Sequence, residues 1–185
     1  PWSVIESLTF DWTFGDGSKA SGYMAAHVFE LPTGSPRKAF DVVLVVRRDG
    51  APVATKTRTI SVRPLRGRTI CVARGDFSGC PSKRPVDHFK DVDSAWDEIR
   101  TGSTILLRRG DTFEPKKRLS TQVPGPVRVG SYGDRELGRP VVVHRHRPWR
   151  VGTLWSLTDL EIVGAGEGSS LLSISGHHTL IMRNH

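Results

Sequence analysis

Apolar and polar residues alternate over Phe10-Asp11-Trp12-Thr13-Phe14, the period of a strand with one buried face. Gly15-Asp16-Gly17 ends that run. Its two glycines supply the positive-φ positions of a tight turn, and its aspartate can accept from nearby backbone N–H groups. Asp16 therefore reads first as a turn-former, with a metal or ligand role as the alternative. The pattern then breaks at Arg63-Pro64-Leu65-Arg66-Gly67-Arg68, where proline and glycine interrupt the strands and three arginines favour solvent. This divides the chain into a domain over 1–63, a linker over 64–68 and a second domain over 69–185.

The second domain opens with a short strand at 69–73. A helix is expected over 91–100, where Val92, Ala95, Trp96 and Ile99 share one face, Asp91 or Asp93 can cap the start and Gly102 ends it. Trp96 should pack downward. Short apolar segments then recur at 104–108, 127–129, 141–143, 157–163, 171–174 and 179–182, separated by Gly, Pro and Asp. No long helical pattern lies between them, so a sandwich or a solenoid of strands is expected rather than alternating βαβ units. Trp2, Trp12 and Trp155 are assigned to cores.

Phe10-Asp11-Trp12-Thr13-Phe14-Gly15-Asp16-Gly17-Ser18, His27-Val28-Phe29 and the Val/Leu run after Phe40 together resemble the PKD domain, an immunoglobulin-like β-sandwich of extracellular and cell-surface proteins. The resemblance implies further strands at His27-Val28-Phe29, at 40–46 and at 57–62, with Arg48-Asp49-Gly50 as the closing turn after the second. Two departures stand out: Arg37-Lys38-Ala39 replaces that family's glycine before the aromatic, and only residues 1–9 precede the signature. The sandwich is therefore expected to be incomplete at its N-terminal side. Gly102–Phe113, Pro126–Gly133, Gly138–Val142, Leu157–Gly164 and Ser175–Asn184 resemble the opening of secreted, pectate-lyase-like right-handed parallel β-helix proteins, with Ser103 where Asp is common. The fold class implied is all-β: a partial PKD-like sandwich joined to the capping helix and first coils of a right-handed parallel β-helix. Because coils bury their inner faces only by stacking, the helix is expected to continue beyond His185.

Charge adds a partner class. Lys and Arg number 27 against 19 Asp and Glu, a formal net charge of +8, which favours acidic partners such as polysaccharide or an anionic cell surface. A nucleic-acid partner rests on charge alone and ranks last. No apolar run reaches the ~20 residues a transmembrane helix needs, and no zinc spacing, phosphate loop or dinucleotide fingerprint occurs. The two cysteines, Cys71 and Cys80, flank a loop carrying Gly75 and Gly79, which lets them pair; such a bridge implies an oxidising compartment and an extracellular or cell-surface location.

The candidate binding residues are His144, Arg145, His146, Arg147 and Trp149. Arginine bonds carboxylates bidentately, and an indole face suits a sugar ring. The competing reading is a solvated basic loop with Trp149 tucked into the core. Lys116-Lys117-Arg118 either adds to that field or forms a separate exposed turn. Asp159 and Glu161 alternate with Leu160 and Ile162 and read as outward charges of one strand. His177 and His178 are adjacent and should not share a metal; no metal site or cofactor is assigned, although the β-helix resemblance allows calcium in a longer protein. No catalytic residue is assigned, and lyase or glycoside hydrolase activity is left open. The expectation is a carbohydrate-binding or carbohydrate-processing surface protein, with a non-catalytic structural or adhesive role as the alternative.

Overall fold

The computed structural model describes residues 7–31, 35–120, 122–145, 148–164 and 171–184. They are mostly strands, and the chain divides into two compact units, 1–64 and 65–185.

The first unit is a four-stranded antiparallel sheet of β1 (Leu8–Thr13), β2 (Lys19–Ser21), β3 (Lys38–Arg48) and β4 (Ala51–Val62), in the order β2-β1-β3-β4. Asp49 (φ 52°) and Gly50 (φ 81°) join β3 to β4, the paired left-handed residues of a two-residue hairpin. Gly15 (φ 72°) passes so close to β3 that a Cβ there would sit 2.8 Å from the Asp41 carbonyl oxygen. His27-Val28-Phe29, expected as a strand, has no ladder partner among the described residues. It is held by rings instead: Phe14 stacks on His27 at 4.2 Å, His27 meets Phe29 edge-on at 4.8 Å, and Phe29 stacks on Phe40 at 4.7 Å. The described residues of this unit form one sheet layer.

Among the described residues, the second unit contains three sheets in which every pairing is parallel. Its strands are β5 (Thr69–Val72), β6 (His88–Phe89), β7 (Thr104–Arg108), β8 (Thr112–Phe113), β9 (Val127–Tyr132), β10 (Val141–His144), β11 (Trp149–Val151), β12 (Trp155–Thr158), β13 (Glu161–Gly164), β14 (Leu172–Ile174) and β15 (Leu180–Met182). Six form the sheet β15-β12-β9-β7-β5-β6, three form β13-β10-β8, and two form β11-β14. From β9 onward the chain visits the three sheets in rotation, so each strand lies beside the one a full circuit away. One row shows what this does for the core. Ile70, Ile105, Val129, Leu157 and Ile181 stand in continuous register across five strands, and the first four are wholly buried. Burying such a column depends on stacking rather than on any one circuit.

Corners explain a segment that the sequence read as a single strand. Asp159 adopts φ 61°, and the chain turns there from β12 into β13, in a different sheet. Arg183, 24 residues on, repeats the conformation (φ 56°) and binds the Asp159 carboxylate at 2.6 and 2.7 Å. The Asn184 side chain accepts from the Leu160 N–H and donates to the Leu157 carbonyl, each at 2.9 Å. Asp159 and Glu161 are thus not neighbours on one strand face. His177 and His178 precede β15 in a turn, with His178 at φ 56°.

Helix α1 (Val92–Asp97) is shorter than expected. Asp91 is its N-cap, accepting from the Ser94 N–H at 2.7 Å, and Val92, Ala95 and Trp96 face the core. Cys71 and Cys80 form a disulfide. With Ala73, Leu106 and Tyr132 they make a second apolar cluster. Arg68, assigned to a solvated linker, is instead part of this unit: it bonds Asp87 at 2.5 Å, Glu98 at 2.8 Å and the Val86 carbonyl.

Candidate functional site

A groove of about 300 Å³ opens beside the edge strand β8, lined by Arg74, Lys90, Asp91, Val92, Phe113, Glu114 and Lys116. Three separate stretches meet there because β5, β6 and β8 deliver their ends to the same side of the unit. Arg74 follows β5 and is fixed at both ends: its backbone N–H donates to Asp111 at 2.9 Å and its Nε to the Thr112 carbonyl at 2.7 Å. Lys90 follows β6 directly. Lys116 follows β8, where its backbone N–H donates to Asp93 on α1 at 2.8 Å.

The acidic members of the groove already have partners. Asp91 caps α1, and Glu114 pairs with Arg145 at 3.3 Å. The Lys90 and Lys116 ammonium groups make no ion pair among the described residues. An anion entering here meets the Lys90 and Lys116 ammonium groups and a fixed guanidinium, three positive charges against the Asp91 and Glu114 carboxylates on the same lining, over a floor supplied by Val92 and the almost covered Phe113.

The residues singled out from the sequence are divided between this rim and the interior. Arg145 lies on the groove side through Glu114, and its side chain is 59% exposed. His144 ends β10 facing inward, and Trp149 is fully buried, its ring 5.2 Å from Trp96 at a steep 69° angle. The interior reading of Trp149 is therefore the one the structure takes, and its ring offers no free face. His146 and Arg147 lie outside the described residues. Lys117 turns away to Asp97 at 2.6 Å, while its neighbour Lys116 lines the groove. Arg74 and Lys90 escaped the sequence reading because nothing local marks them; only the parallel register carries the segment after β5 alongside Asp111 and Thr112.

The first unit has a second concavity, about 400 Å³, lined by Trp12, Phe14, His27, Phe29, Leu44 and Ile60, with Lys56 and Arg58 also on its wall. At its edge the Asp16 carboxylate meets His27 Nε2 at 2.6 Å and accepts from the Ser18 N–H at 3.0 Å. These bonds hold the carboxyl down at about 2. Asp16 is thus both the turn-former expected and an anchor for the aromatic segment. Elsewhere Asp159 is also held low: burial opposes its charge, and the bidentate Arg183 bond outweighs that. Among the described residues, no group of three or more His, Cys, Asp or Glu side chains is placed to hold a metal ion, and no helix is long and apolar enough to cross a membrane.

Neither a family model, nor a curated protein, nor a solved structure matches this chain.

Proposed function

We propose that this chain belongs to a secreted or cell-surface protein that binds acidic polysaccharide through its second unit, read as the opening of a pectate-lyase-like right-handed parallel β-helix. The first unit is read as a PKD-like spacer or accessory binding module, with its aromatic concavity available to a neutral ligand. The observation that carries the proposal is the groove beside β8, where Lys90 and Lys116 stand without counter-ions among the described residues, next to a fixed Arg74. The disulfide and the excess of basic residues are compatible with that location and partner class.

A binding role is favoured over a catalytic one by Asp159. Its carboxylate is committed to Arg183 at a corner, so it does not pair with Glu161 as an acid and base. A non-catalytic, adhesive surface protein is therefore the second reading.

The test is calorimetric titration of the chain with polygalacturonate at low salt. Binding should weaken at least about tenfold in the double variant Lys90→Ala/Lys116→Ala, since two charge-assisted contacts are lost. Equal binding by parent and variant, or preference for DNA of equal charge density, would refute the proposal.

A further inference from the structure

Another cavity of the second unit, about 230 Å³, shares no lining residue with the groove beside β8. Three stretches of chain stacked on one another build it: Gln122 to Pro124, then Arg150, Gly152 and Thr153, then Ser175. The stack is tied together by hydrogen bonds. The Gly125 N–H donates to the Thr153 carbonyl at 3.0 Å and the Trp155 indole N–H to the Val123 carbonyl at 3.1 Å, joining the first stretch to the second. The Ser175 N–H donates to the Val151 carbonyl at 3.0 Å and the Thr179 hydroxyl to the Gly152 carbonyl at 2.8 Å, joining the second to the third. A Cβ at Gly176 would overlap the Thr153 backbone nitrogen, so glycine is what lets these two stretches pack this closely. The cavity is therefore formed before anything enters it, and an occupant does not have to order its walls.

Its polar side chains are accessible and keep bonding capacity. Trp149 and Val151 of β11 are buried, so Arg150 between them points outward, where it is exposed. Its backbone N–H donates to the Leu119 carbonyl at 3.0 Å, which fixes the start of the side chain. The guanidinium itself makes no hydrogen bond or ion pair among the described residues, and neither does the exposed Gln122 carboxamide. The Thr153 hydroxyl oxygen accepts from the His177 N–H at 3.3 Å, which leaves its proton to donate. The Ser175 hydroxyl donates to the Val151 carbonyl at 3.3 Å, which leaves its oxygen to accept. Among the described residues no carboxylate lines this cavity, whereas Asp91 and Glu114 line the groove beside β8.

We propose that this cavity is a subsite for one acidic sugar unit, its carboxylate held by Arg150 and its hydroxyls by Gln122, Thr153 and Ser175. A planar guanidinium supplies two parallel donors for a carboxylate. The carboxamide and the two hydroxyls both donate and accept, as the hydroxyls of a sugar do. Charge sets the sign of the ligand, because a single cation faces the cavity with no acid on the described lining to offset it. Volume sets the number of units: sites for drug-sized ligands run to about 300–1,000 Å³, and 230 Å³ takes one ring rather than several. Val123 and Pro124 give that ring an apolar wall. The assignment rests on the polysaccharide reading and names a second place where that polymer is held.

The test follows the backbone amide signals of the 185-residue chain by NMR during titration with methyl galacturonoside, with methyl galactoside as the neutral control. Amides of Gln122, Arg150, Gly152, Thr153 and Ser175 should shift with the acid and far less with the neutral sugar. Arg150→Gln should weaken binding of the acid about tenfold, and Arg150→Lys, which keeps the charge but loses the fork, should fall between that variant and the parent. Gln122→Ala should weaken it about threefold. Both side chains are exposed and have no bond to lose, so the melting temperatures of these variants should equal the parent's. Shifts confined to residues 90–92 and 113–116 overturn the subsite while the polysaccharide reading stands. Equal affinity of parent and Arg150→Gln for the acid, or of the parent for acid and neutral sugar, also overturns the subsite. No shift at either place, with polygalacturonate as well as with the galacturonoside, overturns both. Inorganic sulfate that displaces the galacturonoside at equal concentration reduces the cavity to a bare anion site and overturns the sugar assignment.

Discussion

Asp16 and His27 are hydrogen-bonded at 2.6 Å, joining the Gly-Asp-Gly turn after β1 to the irregular segment whose rings cover Phe14 and Phe40. The His27 and Ser18 bonds hold the Asp16 carboxyl at about 2, below its ordinary 3.8. A carboxyl depressed by folding stabilises fully above its unfolded value, and the contribution disappears as pH falls through the folded one. The first unit should therefore lose stability between about pH 4 and pH 2. Asp16→Asn should flatten that part of the curve, measured as melting temperature against pH. An identical acid limb in the variant would show that the bond contributes nothing.

Asp87 is almost wholly buried yet ionised. Burial pushes its carboxyl up, and the bonds from Ser82 and Arg68 together outweigh that, leaving it below the usual carboxylate range. Asp87→Ala strands the Arg68 guanidinium against Phe89 and Glu98 and should cost roughly 3 kcal/mol, the scale for breaking a largely buried pair. Stability from Asp87 is present above the ordinary carboxylate pKa and is lost as pH falls below it. Urea denaturation at pH 7 and pH 3 checks this: the gap between parent and variant should shrink at the lower pH.

The same arginine marks where sequence reasoning reached its limit. β1, β7 and the Asp91 cap were legible because apolar patterning, turn residues and cap residues are local signals, whereas the β3–β4 hairpin was legible through the family resemblance of its Val/Leu run and Arg48-Asp49-Gly50 turn. Arg68 was not: beside a proline and a glycine it looks like linker, and its partners at 86, 87 and 98 become neighbours only when β5, β6 and α1 pack together. The corner at Asp159 was hidden in a related way. Aspartate tolerates positive φ better than most residues but adopts it too seldom for Asp159 to mark a corner between apolar neighbours, so β12 and β13 read as one strand. Of the candidate site, Arg145 and Lys116 could be found from local basic runs, whereas Arg74 and Lys90 could be found only from register.

The Cys71–Cys80 bridge joins residues nine apart in the chain. It covers the outer face of the six-stranded sheet over Leu106 and Tyr132. The chain-entropy model gives about 2–3 kcal/mol for a loop of this size. Cys71→Ser/Cys80→Ser should lower the denaturation midpoint accordingly, and addition of dithiothreitol to the parent should reproduce most of that loss. Thiol titration of the unreduced, unfolded chain should find no free thiol; a thiol at each cysteine would contradict the bridge.

Trp149 distinguishes a binding loop from a packed one. It is fully buried, and Trp96 packs against both Trp149 at 5.2 Å and Trp155 at 5.6 Å beneath α1. Removing the ring leaves a large cavity under a helix of only six residues, so Trp149→Ala should cost about 3–5 kcal/mol. Trp149→Phe is more informative. The Trp149 indole N–H has no acceptor among the described residues, so phenylalanine loses volume but also removes an unsatisfied donor, which offsets part of the volume loss. Its cost should be below about half that of alanine. Arg145→Ala, at an exposed pair with Glu114, should change stability by less than about 1 kcal/mol. Chemical denaturation should therefore find Trp149→Ala the most damaging of the three variants, Trp149→Phe intermediate and Arg145→Ala the mildest. A Trp149→Ala chain as stable as its parent would return the indole to the surface.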